Sequence, residues 1–330
     1  MYGIPFCCMM KQQSAHLKRR KKMEIWGEKM EYCFSKLRER VISALDNTDL
    51  EALFRTLKEI SGPSVVTGVG GSSVVSAFFA KVLSEKNGIV CDHMMPRDLL
   101  YRSLAGYENV IACSYSGRNI GVTASFRNGL KKYLLSGNRL EGVTPLQYTV
   151  KDEEESFVSI AGTLIPMSIL LLYYTDGDRK VLEEILDKKP VFRTVPETNV
   201  VEILYGYRQS TAAAFLDSTL VEGALAAPVL HEKYNYCHGR CQLNDAQKND
   251  LIYFPEKNGL DDLYEQELPA FYHSVTRIDS AYGDPVVDDF YLTCISMILC
   301  RTMAERKGKD FCVKIVPEIS DKLYLYKGDM

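Results

Sequence analysis

Two stretches of this 330-residue chain place glycines and hydroxyls at a spacing suited to holding an anion. In the first, Gly68, Gly70, Gly71, Ser72 and Ser73 follow the short apolar run Val65, Val66, Thr67. In the second, Ser114, Tyr115, Ser116 and Gly117 follow Val110, Ile111, Ala112 and Cys113. Helical spacing starts directly after each turn, in the second case through Ile120, Val122, Ala124, Phe126 and Leu130. The opening N–H groups of a helix have no partner inside it, and its dipole favours negative charge there. Serine hydroxyls add donors, Asn119 adds an amide, and glycine lets backbone come close to a ligand. An ordinary strand-to-helix turn capped by serine has the same composition.

A third group is Glu232, His238 and Arg240, within nine residues in the run HEKYNYCHGR. A carboxylate, an imidazole and a guanidinium are the types needed to move a proton next to a carbonyl. The carboxylate takes up and returns the proton, the imidazole serves as acid, and a cation steadies the enediolate. The bland account is a helix end with local ion pairs and cations on its C-terminal dipole.

Neither glycine loop fits a nucleotide fingerprint. Gly-x-Gly-Gly-Ser-Ser puts Ser73 where the dinucleotide motif has its last glycine, and Asp92 is a poor match to the ribose-binding acid. The Gly-Lys-Ser/Thr ending of a P-loop is missing as well. A hydroxyl-bearing glycine loop suits a phosphate better.

Such loops need strands and helices to aim them. Each sits at the carboxyl end of an expected buried strand, where open parallel sheets hold ligands. Residues 1–22 read as a leader with the basic run Lys18–Lys22, outside the folded part; its order is wrong for a secretory signal. Helices are expected from Met23 through Leu45 and, capped by Asp49, through Ile60. Ile89–Asp92 and Leu146–Val150 read as strands, and Ile160–Tyr174 as a buried helix too short and interrupted to span a membrane. Lys189 to Pro196 marks a linker. Beyond it, Asn199–Gln209 has helical spacing, Ala212–Leu216 reads as a weak strand and Leu220–Tyr236 as a helix kinked at Pro228. Asp250–Phe254, Ser274–Asp279 and Phe311–Val316 read as strands, with helices at Leu260–Glu267 and Val286–Ala304.

The paired loops, G-V-G-G-S-S and S-Y-S-G-R-N, resemble the SIS (sugar isomerase) domain family, whose usual form is G-x-G-x-S followed by S-x-S-G-x-T. The resemblance implies an α/β fold of two flavodoxin-like three-layer αβα sandwich subdomains with central parallel sheets, residues 23–190 and 191–330. It implies a sugar phosphate held by Ser72 or Ser73, Ser114, Ser116 and Asn119, to which the reading of the residues adds Gly70, Gly71 and Gly117, where backbone comes close to the ligand, and Arg240 as a cation. Asn119 stands where the family usually has threonine. The E-G-A-L of Glu222–Leu225, with a later Glu and His, resembles the isomerase part of glucosamine-6-phosphate synthase. That likeness assigns the proton-transferring base to Glu232 and ring opening to His238. The segment CQLNDAQK at Cys241–Lys248 and the tail Pro317–Met330 depart from that enzyme.

The expected activity is aldose–ketose isomerisation of a sugar phosphate or amino-sugar phosphate without metal or other cofactor. The rivals are a non-catalytic phosphosugar sensor and a deglycase or lyase. The resemblance also implies a homodimer. A net charge of −3 gives no basic field for nucleic acid. Ten scattered cysteines fit a reduced cytoplasmic chain, and Cys237 and Cys241, with His238 between, lack the second ligand pair of a zinc site.

Overall fold

The computed structural model describes residues 29–117, 119–126, 129–151, 154–242 and 248–314. The leader and the C-terminal tail fall outside them. Helical turns from residue 29 lead into α1 (Leu37–Asp46) and α2 (Leu50–Glu59). Asp49 caps α2 by accepting from the Ala52 N–H at 3.0 Å.

The first half then alternates β1 (Ser64–Thr67), α3 (Gly71–Asn87), β2 (Cys91–His93), α4 (Asp98–Tyr101), β3 (Asn109–Cys113), α5 (Ile120–Ser125), β4 (Lys131–Ser136) and β5 (Thr144–Gln147). Its five strands are all parallel, in the order β2-β1-β3-β4-β5. Two helices, α6 (Ala161–Tyr174) and α7 (Arg179–Leu186), lead to the second half. There β6 (Val200–Tyr205), α8 (Ser210–Glu222), β7 (Ala227–Glu232), α9 (Lys233–Tyr236), β8 (Asp250–Tyr253), α10 (Gly259–Phe271), β9 (Ser274–Arg277) and α11 (Pro285–Arg306) form a second parallel sheet, ordered β7-β6-β8-β9. This is the two-sheet α/β architecture expected from the loops.

One apolar core joins the halves. Val66, Phe78, Leu170, Ile203, Leu216 and Phe290 all belong to it. Helix α6 is buried from Ala161 through Tyr173, as a helix apolar on all sides must be. None of the described helices is long and apolar enough to cross a membrane. A polar lock ties the halves together within the core. Lys81 on α3 pairs with Asp289 on α11 and donates to the Tyr207 carbonyl at 2.7 Å. Asp289 in turn accepts from the N–H groups of Thr211 and Ala212, at 3.1 and 2.9 Å, in the first turn of α8. Two buried charges are tolerated because each is paired and hydrogen-bonded.

The second half corrects several readings. Asn199–Gln209 is not a helix but holds β6, buried from Val201 to Leu204. A strand covered on both faces shows no alternation, so its apolar run fits either period. Ala212–Leu216 is not a strand but lies inside α8, as its three consecutive alanines favour. The helix read over Leu220–Tyr236 stops at Glu222; Gly223 ends it, Ala224 turns the chain at φ 50°, and β7 follows. Pro228 sits in β7 without kinking a helix because β7 is an edge strand, where a missing N–H is tolerated. In the first half, the helix carried to Leu130 ends at Ser125, and β4, which begins with two lysines, went unread. Phe311–Lys314 is turn and coil rather than strand.

Candidate active site

The two hydroxyl loops open from neighbouring parallel strands at one edge of the first sheet. Val65, Val66 and Thr67 of β1 pair with Val110, Ile111 and Ala112 of β3, so Gly68–Ser73 and Ser114–Asn119 leave side by side. Both loops then touch the first turn of α6. A Cβ on Gly71 would stand 2.7 Å from Ser159 Cβ and 2.8 Å from Thr163 Oγ1. One on Gly162 would stand 2.8 Å from Ser159 Oγ and 3.3 Å from the Tyr115 ring. Gly71 of the first loop therefore rests on Ser159 and Thr163, and Tyr115 of the second lies against Gly162. Glu154 holds the start of α6, accepting from the N–H groups of Ile160 and Gly162 at 3.2 and 2.7 Å.

The first loop keeps its helix opening free of side-chain caps. Gly70 is the N-cap of α3 at φ 58° and ψ −133°, a conformation that excludes most side chains. Gly68 is equally constrained, since a Cβ there would lie 2.2 Å from the Ser72 carbonyl oxygen. Ser72 and Ser73 are partly exposed in the first turn of α3. The Ser73 hydroxyl lies 3.2 Å from His93 Nε2 and 3.7 Å from Met95 Sδ.

The second loop is more self-contained. Ser114 is buried, and its hydroxyl accepts from the Gly117 N–H at 3.1 Å. Gly117 turns the chain at φ 67°. Ser116 is exposed at the loop tip, while its carbonyl accepts from Asn138. Asn119 Oδ1 caps α5 by accepting from the Gly121 N–H at 2.8 Å. Ser116 is thus the hydroxyl of this loop that faces solvent.

A carboxylate from the second half meets the first loop. Glu222, in the last turn of α8, has Oε1 3.4 Å from where a Cβ on Gly70 would stand. Its other partner is the Ser218 hydroxyl, which donates to it at 3.0 Å. Burial pushes its acidity constant above the ordinary carboxylate range, and the Ser218 hydrogen bond offsets only part of this.

Glu232, His238 and Arg240 stand elsewhere. Helix α8 runs back against the strands, so Glu222 lies beside the start of β7, whereas Glu232 ends it. Five strand steps, about 17 Å, separate those two edges of the sheet. Glu232 Oε2 caps α9, accepting from the Asn235 N–H at 3.0 Å. His238 and Arg240 are exposed on the turns that follow. Cys237 Sγ lies 2.9 Å from the Tyr264 hydroxyl. Among the described residues, no three His, Cys, Asp or Glu side chains gather closely enough to hold a metal.

Sequence reading singles out the two loops, which the fold sets side by side, but does not bring Glu222, Ser159 and His93 to them. The available signal for Glu222 was Gly223, a helix stop directly behind a glutamate.

No protein-family model and no curated protein sequence matches the chain. Solved structures do share its fold. Tagatose-6-phosphate ketose/aldose isomerase from Escherichia coli superposes with a TM-score of 0.64 at 14% identity, over 88% of this chain and 97% of that one. Glucosamine-6-phosphate deaminase from Thermotoga maritima gives 0.61 at 14%, over 86% and 98%. The C-terminal domain of glucosamine-fructose-6-phosphate aminotransferase from Francisella tularensis gives 0.61 at 13%, over 86% and 97%. At such identities the likeness is one of fold: the two-sheet architecture seen in phosphosugar isomerase structures.

Proposed function

We propose that this protein binds a sugar phosphate or amino-sugar phosphate and interconverts its aldose and ketose forms. The observation that carries the reading is the meeting of three elements at one place. Two hydroxyl-bearing loops leave adjacent strands, and the Glu222 carboxylate reaches the first of them from the other half. The phosphoryl group is held at the start of α3 by the Gly71 N–H and the hydroxyls of Ser72, Ser73 and Ser116, since the N–H groups of Ser72 and Ser73 donate to the Val69 and Gly70 carbonyls. The three named structures of this fold all carry sugar 6-phosphates in their names, which supports the same ligand class here.

Glu222, rather than Glu232, then serves as base. It takes the proton from the carbon next to the carbonyl, leaving an enediolate, and returns it to the neighbouring carbon while the hydroxyl proton passes from one oxygen to the other; no atom is gained or lost. A carboxyl whose acidity constant is raised by burial is a stronger base than an ordinary carboxylate, which suits that transfer. His238 and Arg240 lie at the opposite edge of the second sheet from Glu222, so a second copy of the chain brings His238 to the sugar as ring-opening acid. The homodimer is part of the proposal.

The direct test is proton exchange. Incubated with fructose 6-phosphate or the other members of a hexose phosphate panel in deuterated water, the protein should place deuterium at carbon 2 of the aldose, read by NMR. Binding in a thermal-shift screen without exchange for any member would leave a phosphosugar sensor instead. Release of ammonia or a carboxylic acid would mark a deglycase or lyase. Light scattering that finds only a monomer would remove the role of His238.

A further inference from the structure

His93 stands at the carboxyl end of β2, the edge strand beside β1, one strand away from the glycine loop. Its Nε2 lies 3.2 Å from the Ser73 hydroxyl, and both groups are open to solvent at the rim of the loop. Nothing in the Gly/Ser pattern accounts for an imidazole there. The first loop, Gly68–Ser73, contains no lysine or arginine, and Arg118 of the second lies outside the described residues.

We infer that His93 is a phosphate ligand whose protonation is coupled to binding of the phosphosugar. The inference rests on the phosphosugar reading of the site. In the empty protein the imidazole is neutral near pH 7: partial desolvation lowers its acidity constant, and Nε2 shares a hydrogen bond with Ser73. A phosphoryl dianion seated at the first turn of α3 lies within reach of the same nitrogen. Its charge favours the imidazolium, which then donates to a phosphate oxygen alongside Ser73. Binding takes up a proton wherever the pH lies between the acidity constants of the free and the liganded imidazole.

The other charges around His93 leave it this role. Asp92, its neighbour on β2, takes the Tyr107 hydroxyl. β1, which pairs with β2, carries Ser64, Val65, Val66 and Thr67 and no charge. On the turn after β2, exposed Arg97 lies over the Tyr101 ring. From α8, Glu222 faces Gly70 in the same loop. From α3, the first turn offers only Ser72 and Ser73.

Isothermal titration of the full chain with fructose 6-phosphate, and separately with inorganic phosphate, decides the matter. His93→Asn should weaken binding about tenfold at pH 6.5, the worth of one charged hydrogen bond, and less than about twofold at pH 9. Titrations in buffers of different ionisation heat should show wild type taking up a larger fraction of a proton than His93→Asn. Comparison of the two removes the ligand's own titration near pH 6. His93→Arg, charged throughout, should bind at pH 9 as tightly as at pH 6.5 once that ligand titration is allowed for. Equal affinity and equal proton uptake in wild type and His93→Asn would overturn the inference while leaving the site reading intact. A flat wild-type titration with both probes would instead remove the site reading, and the inference with it.

Discussion

Glu222 Oε1 and Gly70 face each other across the boundary between the halves, with 3.4 Å between the oxygen and the place where a side chain on the glycine would begin. The last turn of a helix from one sheet thereby closes on the glycine loop of the other. The turn needs glycine at 70 for its φ of 58°, and the carboxylate lies at contact distance from it.

Replacing Glu222 by Gln should abolish exchange of the carbon-bound proton, by about 100-fold or more, while sugar phosphate affinity changes little. Because burial raises the acidity constant of Glu222, the fold favours its neutral form. Its contribution to stability is therefore present at low pH and lost as the pH rises through the raised value. Glu222→Gln should accordingly melt at or above the wild-type temperature at pH 8, despite its lost activity. Turnover of the wild type should fall as the pH drops through the same value, since the base must be ionised. A variant that loses stability at pH 8 in proportion to activity would count against a catalytic role.

Gly71 is held against Ser159 and Thr163, so Gly71→Ala should cost about 1–3 kcal/mol by overpacking. The measured effect would be a melting temperature lower by several degrees and weakened sugar phosphate binding, because the first loop must back away from α6. Ser159→Gly added to it removes two of the three close contacts, those to Cβ and Oγ, and leaves the one to Thr163 Oγ1. The double variant should therefore recover part of both losses. Additive losses would show that the loop does not rest on Ser159.

How far these relationships could be read beforehand depended on their range along the chain. The glycine and serine loops were legible because strand, turn and helix opening are consecutive, and each residue has a local reason to be there. Ser114, Gly117 and Asn119 combine a turn or cap duty with their place in the loop, which is why composition alone could not separate the two. The second half was misread where local signals conflict. β6 is buried on both faces, α8 begins with short alanine-rich sequence, and Pro228 on an edge strand mimics a helix break. Once α8 was extended past Gly223, the nearest glutamate to the helix end became Glu232. The pairing of Glu222 with Gly70 is a tertiary contact between halves, and no spacing rule reports it.

Lys81 and Asp289 provide a test of how the halves are joined. Lys81→Met leaves Asp289 charged, buried and deprived of its cation, with only the Thr211 and Ala212 N–H groups for support. Urea unfolding should show a loss of about 3–5 kcal/mol. Asp289→Asn alone should also destabilise, since Lys81 then keeps a buried charge facing a neutral amide. The double variant Lys81→Met with Asp289→Asn should lose less than the sum of the two. Strict additivity would mean that the ion pair is not formed in solution.

The acid limit of the fold should depend on Asp250, at the start of β8. Burial by itself would raise its acidity constant. Hydrogen bonds from the Ser274 hydroxyl, the N–H groups of Thr198 and Glu197 and His273 Nδ1 outweigh that and hold it at about 2. The folded value lies below the unfolded one of about 3.9, so the ionised form stabilises the native state. That contribution, about 2 kcal/mol, is complete above roughly pH 5 and is lost as the pH falls toward 2. Asp250→Asn should lower the urea midpoint at pH 6 and make stability fall less steeply between pH 4.5 and 2.5. A variant whose acid limb runs parallel to that of the wild type would mean that other carboxylates set the limit, and that the Asp250 network serves only to tie the loop before β6 to the strand beneath it.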